Sequence, residues 1–197
     1  MSEAEKNRLS RIVTRTGDGG QTGLADGRRC AKSDPCIVAL GDIDELNAAC
    51  GLLHAQMMQA PGMEAALVAF VRAQQHALFD LGGFLAMGAL ATADQLPSVE
   101  ALDDWIARHN AELPPLKEFI LPGGSLVLGQ AHVARTVARR AERSLWLLVE
   151  QMPSVSPVAV YLNRLSDALF VLARRIGTAE GSLVYWQKNH AARSTHE

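Results

Sequence analysis

Aromatic residues make up only 5% of the 197 positions, so any core must be built from aliphatic side chains. Cysteine is scarcer still. Cys30, Cys36 and Cys50 are odd in number and show no C-x-x-C spacing, which excludes a disulfide framework and a structural zinc site as organising devices. Charge of one sign is not in excess: charged residues are 20% of the chain and the formal net charge is -2, which argues against a broad nucleic-acid-binding face. Long uninterrupted apolar runs are missing too. The longest apolar stretch, Ala77 to Ala93, is broken by Asp80 and by Gly82-Gly83, so it reads as a buried helix and no membrane association is expected. Met1 to Arg11 mixes acids and bases without an apolar h-region, resembling neither a secretory signal nor a transit peptide, and a reducing cytoplasm is the expected location.

What is present is helical periodicity. The first forty residues are rich in Gly, Asp and Arg and form a loop-rich segment; a helical region is expected over 41–177, and the polar tail 187–197 is expected to fray. Ile43, Leu46, Cys50, Leu53 and Met57 repeat at three and four, leaving Asp44, Asn47, Gly51 and His54 on another face. Leu67, Phe70, Gln74, Leu78, Leu81 and Leu85 make a second stripe after the Pro61-Gly62 break. Ser98 to Asn110 reads as a shorter helix closed by Pro114-Pro115. Ser125 can cap a long helix with Val133, Val137, Ala141, Leu145 and Leu148 inward, and Ser156-Pro157 supplies a cap and first-turn proline for a last helix built on Leu162, Leu165, Leu169 and Leu172. The expectation is one all-α domain over 1–197 with about five helices. No strand is strongly signalled, although Ser182 to Trp186 can extend.

Four segments carry chemistry. Thr14 to Gly23 packs four glycines and three threonines into a loop whose N–H groups and hydroxyls can converge on an anion, yet it is neither a Walker A motif nor a dinucleotide fingerprint. On its glycine content alone, a plain surface loop is the better reading. Arg135, Arg139 and Glu142 are spaced four and three apart, which puts two guanidinium forks and a carboxylate on one helical face; a solvated, salt-bridged face is the bland alternative. Asn163 and Asp167 stand four apart opposite the leucine stripe of the last helix. Asp42 with Glu45 resembles a capping box, leaving Asp44 and Asn47 as spare polar groups, and Lys32 is either a phosphate contact or a solvated lysine.

Taken in this order together with Phe119 to Gly124, these segments resemble the PduO-type cobalamin adenosyltransferase family, from about Thr14 to Arg174. The resemblance implies a five-helix bundle of the ferritin-like cobalamin adenosyltransferase type, assembled as a homotrimer with ATP and a corrinoid bound between subunits. It implies transfer of the 5′-deoxyadenosyl group of ATP to cob(I)alamin, leaving inorganic triphosphate, with Mg²⁺ as the accompanying ion and no protein-held metal. The ATP site would take Thr14, Thr16, Gly17, Asp18, Gly20 and Thr22, completed by Lys32, Arg139, Glu142 and Asn163. Arg135 would pair across the interface with Asp44, chosen over Asp42, and Phe119 would sit beneath the corrin to keep the lower cobalt position empty. Glu142 is expected to orient Arg139 or waters around magnesium. Asp42 stands where the family commonly has Thr, and Ala138 where Cys is common. A cobalamin reductase and an adenosylcobalamin-dependent enzyme would be the natural partners.

Three other classes compete. A ferritin-like metal oxidase needs Glu-x-x-His pairs, and the chain has none. A non-catalytic carrier delivering adenosylcobalamin would share the binding residues, so turnover discriminates. A structural oligomerising bundle would use the arginines for salt bridges and would not bind ATP.

Overall fold

The computed structural model describes residues 12–188. After an irregular, turn-rich start, Gln21–Gly23 (β1) and Arg29–Ala31 (β2) pair as a small antiparallel hairpin, Thr22 opposite Cys30. The hairpin is tied down by buried Leu24 and by the Ala25 N–H, which donates to the Ala86 carbonyl at 3.0 Å.

Five α-helices follow among the described residues: Pro35–Gln59 (α1), Ala65–Met87 (α2), Val99–Ala111 (α3), Leu126–Val149 (α4) and Ser156–Glu180 (α5). α1 begins earlier than the sequence expectation. Asp34 caps it, its carboxylate accepting from Cys36 N–H at 2.9 Å, and Pro35 occupies the first turn where its missing N–H costs nothing. Asp42 and Glu45 therefore lie inside the helix, and the expected capping box there does not form. The apolar stripe starts at Cys36 and Ala39, and Gly41 is carried as an interior residue rather than a breaker. α2 stops at Met87, so Ala77 to Ala93 is not one helix; Gly88 turns the chain at φ 53° into a short 3-10 turn. Ser125 caps α4 as expected, accepting from Leu128 N–H at 3.1 Å, and Ser98, expected as the first residue of α3, caps it instead through Ala101 N–H at 3.1 Å. Ser156 is itself the first residue of α5, not its cap, because a 3-10 turn over Pro153–Val155 leads in.

α1 lies between α2 and α4, α4 packs on α5, and α3 covers α5 from outside. Leu46, Leu53, Leu81, Leu128, Leu145, Leu162, Leu165 and Leu172 are fully enclosed, so the scarcity of aromatics is met by leucine. Val133 departs from its expected stripe and is 48% exposed. Gln74 is buried because the Tyr161 hydroxyl donates to it at 2.7 Å, joining α2 to α5; without that bond the amide would carry an uncompensated desolvation cost. Phe70 stacks on Trp105 at 3.9 Å and fastens α3. Pro153–Glu180 is long and apolar enough to cross a membrane by length and composition, but 61% of its apolar window is buried in the bundle.

Gly181 ends α5 in the left-handed conformation (φ 62°), and Ser182 N–H reaches back to the Gly177 carbonyl at 3.0 Å. That reversal sends the chain along the loop before α4. Leu121 N–H donates to Val184 at 2.8 Å, Trp186 N–H to Phe119 at 2.7 Å, and Ile120 bridges Tyr185. Gly124 (φ 97°) is required there, since a Cβ would meet the Ser182 carbonyl oxygen at 2.5 Å.

Candidate functional site

The N-terminal loop is folded by its own backbone. Gly20 N–H donates to Gly17 at 3.1 Å, Lys32 N–H to Gly20 at 2.9 Å, and the Arg29 guanidinium holds the Thr16 carbonyl at 2.8 Å. Arg15 takes a left-handed φ of 59° and Gly20 one of 78°, turning successive peptide units. The Thr14 and Thr16 hydroxyls lie 3.0 Å apart. A Cβ on Gly17 would sit 3.2 Å from Lys32 Nζ, so this glycine lets the ammonium close over the loop. Thr14, Thr16, Gly17, Asp18, Gly20, Thr22 and Lys32 are thereby gathered on one small, mostly exposed structure.

The second part is the outer face of α4 and α5. Arg135, Arg139, Ser166, Asp167 and Phe170 line a cavity of about 220 Å³. Arg135 lies over the Phe170 ring, 6.0 Å from its centroid, and its Nε is buried without a hydrogen-bond partner among the described residues. Burial, then the neighbouring Arg139 charge, pulls the Arg135 guanidinium below its ordinary pKa. One turn below, His132 is 2% exposed, and neither ring nitrogen has a partner among the described residues. Burial and Arg135 push its pKa down. Two polar side chains left unsatisfied on one stripe are costly, and an anion arriving at the cavity would relieve that cost at Arg135.

Glu142 continues the stripe. Its Oε1 accepts from Asn163 Nδ2 at 3.2 Å, which joins the two segments that the sequence separates by twenty-one positions. No hydrogen bond or ion pair between Glu142 and Arg139 is present among the described residues, so the expected orienting of Arg139 by Glu142 is not seen within the chain.

Phe119 is 77% exposed and sits edge-on to Trp186 with ring centroids 6.5 Å apart; with Leu116, Lys117 and Glu118 they line an apolar-walled cavity of about 240 Å³. Asp44 is elsewhere, in a largely apolar groove of about 330 Å³ between α1 and α2, beside Leu40, Phe79 and Gly82. The two acids of this segment differ. Asp42 is held by Arg140 Nε at 3.1 Å and by the Ser144 hydroxyl at 2.5 Å, whereas Asp44 has no partner among the described residues. Asn47, expected to be spare, is buried and bonded to Gln75 at 3.1 Å.

One chain therefore brings Arg135, Arg139, Glu142 and Asn163 to one face. It does not join them by hydrogen bond or ion pair to the N-terminal loop, and Arg135 and Asp44 line different depressions. Sequence reasoning missed Phe170, His132 and Trp186. Phe170 follows Asn163 and Asp167 at helical spacing and His132 precedes Arg135 by three, so both were findable; Trp186 reaches Phe119 only through the Gly181 reversal.

A magnesium ion fits this donor set only as a passenger of phosphate. Among the described residues no cluster of three or more His, Cys, Asp or Glu side chains can hold a metal, while Glu142 keeps one carboxylate oxygen without a partner.

Residues 12–176 match the cobalamin adenosyltransferase family. The chain is 52% identical to a cobalamin adenosyltransferase of Cupriavidus metallidurans over 92% of its length and 97% of the relative's. It is 44% identical to the corrinoid adenosyltransferase of Mycobacterium tuberculosis, over 90% and 93% respectively. Among solved structures it resembles a phenylalanine-to-alanine variant of the PduO-type ATP:corrinoid adenosyltransferase of Lactobacillus reuteri, complexed with cobalamin and ATP. There the TM-score is 0.77 at 31% identity, covering 90% of this chain and 99% of that one. With the loop, the arginine face and the Phe119 platform set on a five-helix bundle, the chain belongs to the PduO-type cobalamin adenosyltransferase family.

Proposed function

We propose that this protein transfers the 5′-deoxyadenosyl group of ATP to cob(I)alamin, forming the cobalt–carbon bond of adenosylcobalamin and releasing inorganic triphosphate. The observation that carries the reading is the arginine edge of α4 above its cavity, where the Arg135 Nε is buried without a partner among the described residues, beside the Glu142–Asn163 pair.

Cobalt(I) attacks C5′, its own electron pair becoming the cobalt–carbon bond as the metal passes to cobalt(III), while the C5′–O bonding pair leaves on the triphosphate. No general base is needed. Negative charge gathers on the leaving group, so the protein's task is to hold donors where that charge grows. Arg139 and the glycine-threonine loop with Lys32 are the groups for it, and Glu142 with Asn163 holds the nucleotide. When bound, Mg²⁺ would neutralise triphosphate charge, carried mainly by the phosphates with Glu142 nearby. Phe119 supplies the apolar wall that keeps water from the lower face of the corrin, and Trp186 buttresses it at 6.5 Å.

The site is completed between subunits of a homotrimer in this reading. Its support is the division of the site within one chain: among the described residues Arg140 takes Asp42 and Glu45 while Asp44 has no partner, and half-buried Arg135 has no acid. Thus Arg135 of one copy meets Asp44 of the next. The whole chain acts as one domain in the cytoplasm, supplied by a cobalamin reductase and serving an adenosylcobalamin-dependent enzyme. The free thiols of Cys36 and Cys50 fit a reducing compartment.

The test is an anaerobic assay with ATP, Mg²⁺ and chemically reduced cobalamin. Many turnovers of photolabile product establish the enzyme; binding of both ligands without turnover makes the protein a carrier instead. Phe119→Ala is expected to lower turnover by about 10- to 100-fold, the scale of losing a phenyl contact that the bound corrin would cover, with ATP affinity retained. Equal loss of both would remove Phe119 from the corrinoid site.

A further inference from the structure

Arg135, Arg139, Glu142 and Trp146 are spaced four, three and four apart, so Trp146 extends the same stripe of α4 by one more turn. The indole is not a core residue: it remains 44% exposed. Its N–H donates to Glu142 Oε1 at 3.3 Å, the same oxygen that accepts from Asn163 Nδ2 at 3.2 Å. Two donors from two helical positions thus saturate one carboxylate oxygen. The other, Oε2, has no hydrogen-bond or ion-pair partner among the described residues.

We propose that Trp146 is a positioning residue: its indole N–H, with Asn163, clamps the Glu142 carboxylate so that Oε2 is held ready to accept a hydrogen bond from the bound nucleotide. Glutamate has a long, rotamer-rich side chain, and fixing it before the substrate arrives removes that ordering cost from binding. Tryptophan suits the task because its ring is rigid and its single N–H can only donate. A solvated Glu142 would have to be ordered by the nucleotide itself, so the clamp acts on nucleotide binding and not on attack at C5′. The inference rests on Glu142 belonging to the ATP site.

The experiment is a double-mutant cycle in the full chain with Trp146→Phe and Glu142→Ala, reading the KM for ATP, the KM for cob(I)alamin and kcat. Melting temperatures are measured on each variant. Trp146→Phe keeps the ring and loses the donor. It is expected to raise the ATP KM by about fivefold to tenfold, the low end for a hydrogen bond to a charged group that is long and half-exposed. The kcat and the cob(I)alamin KM should stay within about twofold, since uniform binding is what is lost. In the Glu142→Ala background the same substitution should change nothing, because the indole then has no carboxylate to hold. An equal rise in both backgrounds would make Trp146 a structural residue and overturn the proposal. So would an unchanged ATP KM in Trp146→Phe alone, with the wild type turning over. A wild type that does not adenosylate cob(I)alamin would overturn both this proposal and the reading on which it rests.

Discussion

Two edges of one helix answer their charges differently. On the side of α4 facing α1, Arg140 meets Asp42 at 3.1 Å and also Glu45, and Ser144 takes the second oxygen of Asp42. The Glu45 hydrogen bond raises the guanidinium pKa, and the carboxyl of Glu45 falls in return. On the other edge, Arg135 is half-buried, its Nε enclosed without a partner among the described residues; Arg139 stands beside it with like charge, and burial dominates the result. An arginine whose partners are in its own chain is spent on holding helices together. One whose Nε is enclosed without a partner among the described residues is kept for something that arrives.

The comparison is sharpest at Arg139. Arg139→Ala is expected to lower turnover by about 10²- to 10³-fold, the scale of deleting one donor to a developing charge. Its melting temperature should not fall, because the substitution also relieves Arg135 of a like charge. Arg140→Ala should do the reverse, lowering the melting temperature by about 2–4 °C while turnover per folded protein stays within about twofold. If Arg140→Ala abolished turnover at unchanged stability, the division between the edges would collapse.

The smallest effect comes from His132. Its folded pKa lies below the ordinary 6.5, so its contribution is complete above that value and is lost as pH falls through the depressed one. His54 and His109 are depressed as well, by burial first and then by Arg72 and Arg175 respectively, and act in the same direction. Melting temperature should therefore drop between pH 7 and 5, and His132→Phe should shrink that drop by about 1–2 °C without removing it. A drop of the same size in His132→Phe would show that His132 finds a partner in the working assembly.

The helices were legible wherever the apolar period was long, because burial writes the same three-four spacing that it enforces: every member of the stripes Ile43, Leu46, Cys50, Leu53, Met57 and Leu67, Phe70, Gln74, Leu78, Leu81, Leu85 is buried. Ends were harder. The Asp34-Pro35 start of α1 was obscured by Gly41 and by Asp42-Glu45, whose capping-box spacing serves an ion pair to a distant helix instead. The arginine edge was visible as spacing, yet sequence alone could not say which arginines are paired within the chain. That distinction depends on α1 lying along one side of α4 only. The meeting of Phe119 with Trp186 was invisible, since it needs a left-handed turn at Gly181 and a close approach at Gly124, neither of which leaves a periodic trace.

The central claim is that the partnerless arginine edge is where the triphosphate nucleotide binds. Its most direct test is the rise in melting temperature that saturating Mg²⁺-ATP produces in the wild type, Arg139→Ala and Arg140→Ala, since a ligand that binds only the folded state stabilises it by mass action. The account predicts a similar rise in the wild type and Arg140→Ala, and loss of most of it in Arg139→Ala. A full rise in Arg139→Ala, with none in Arg140→Ala, would contradict it.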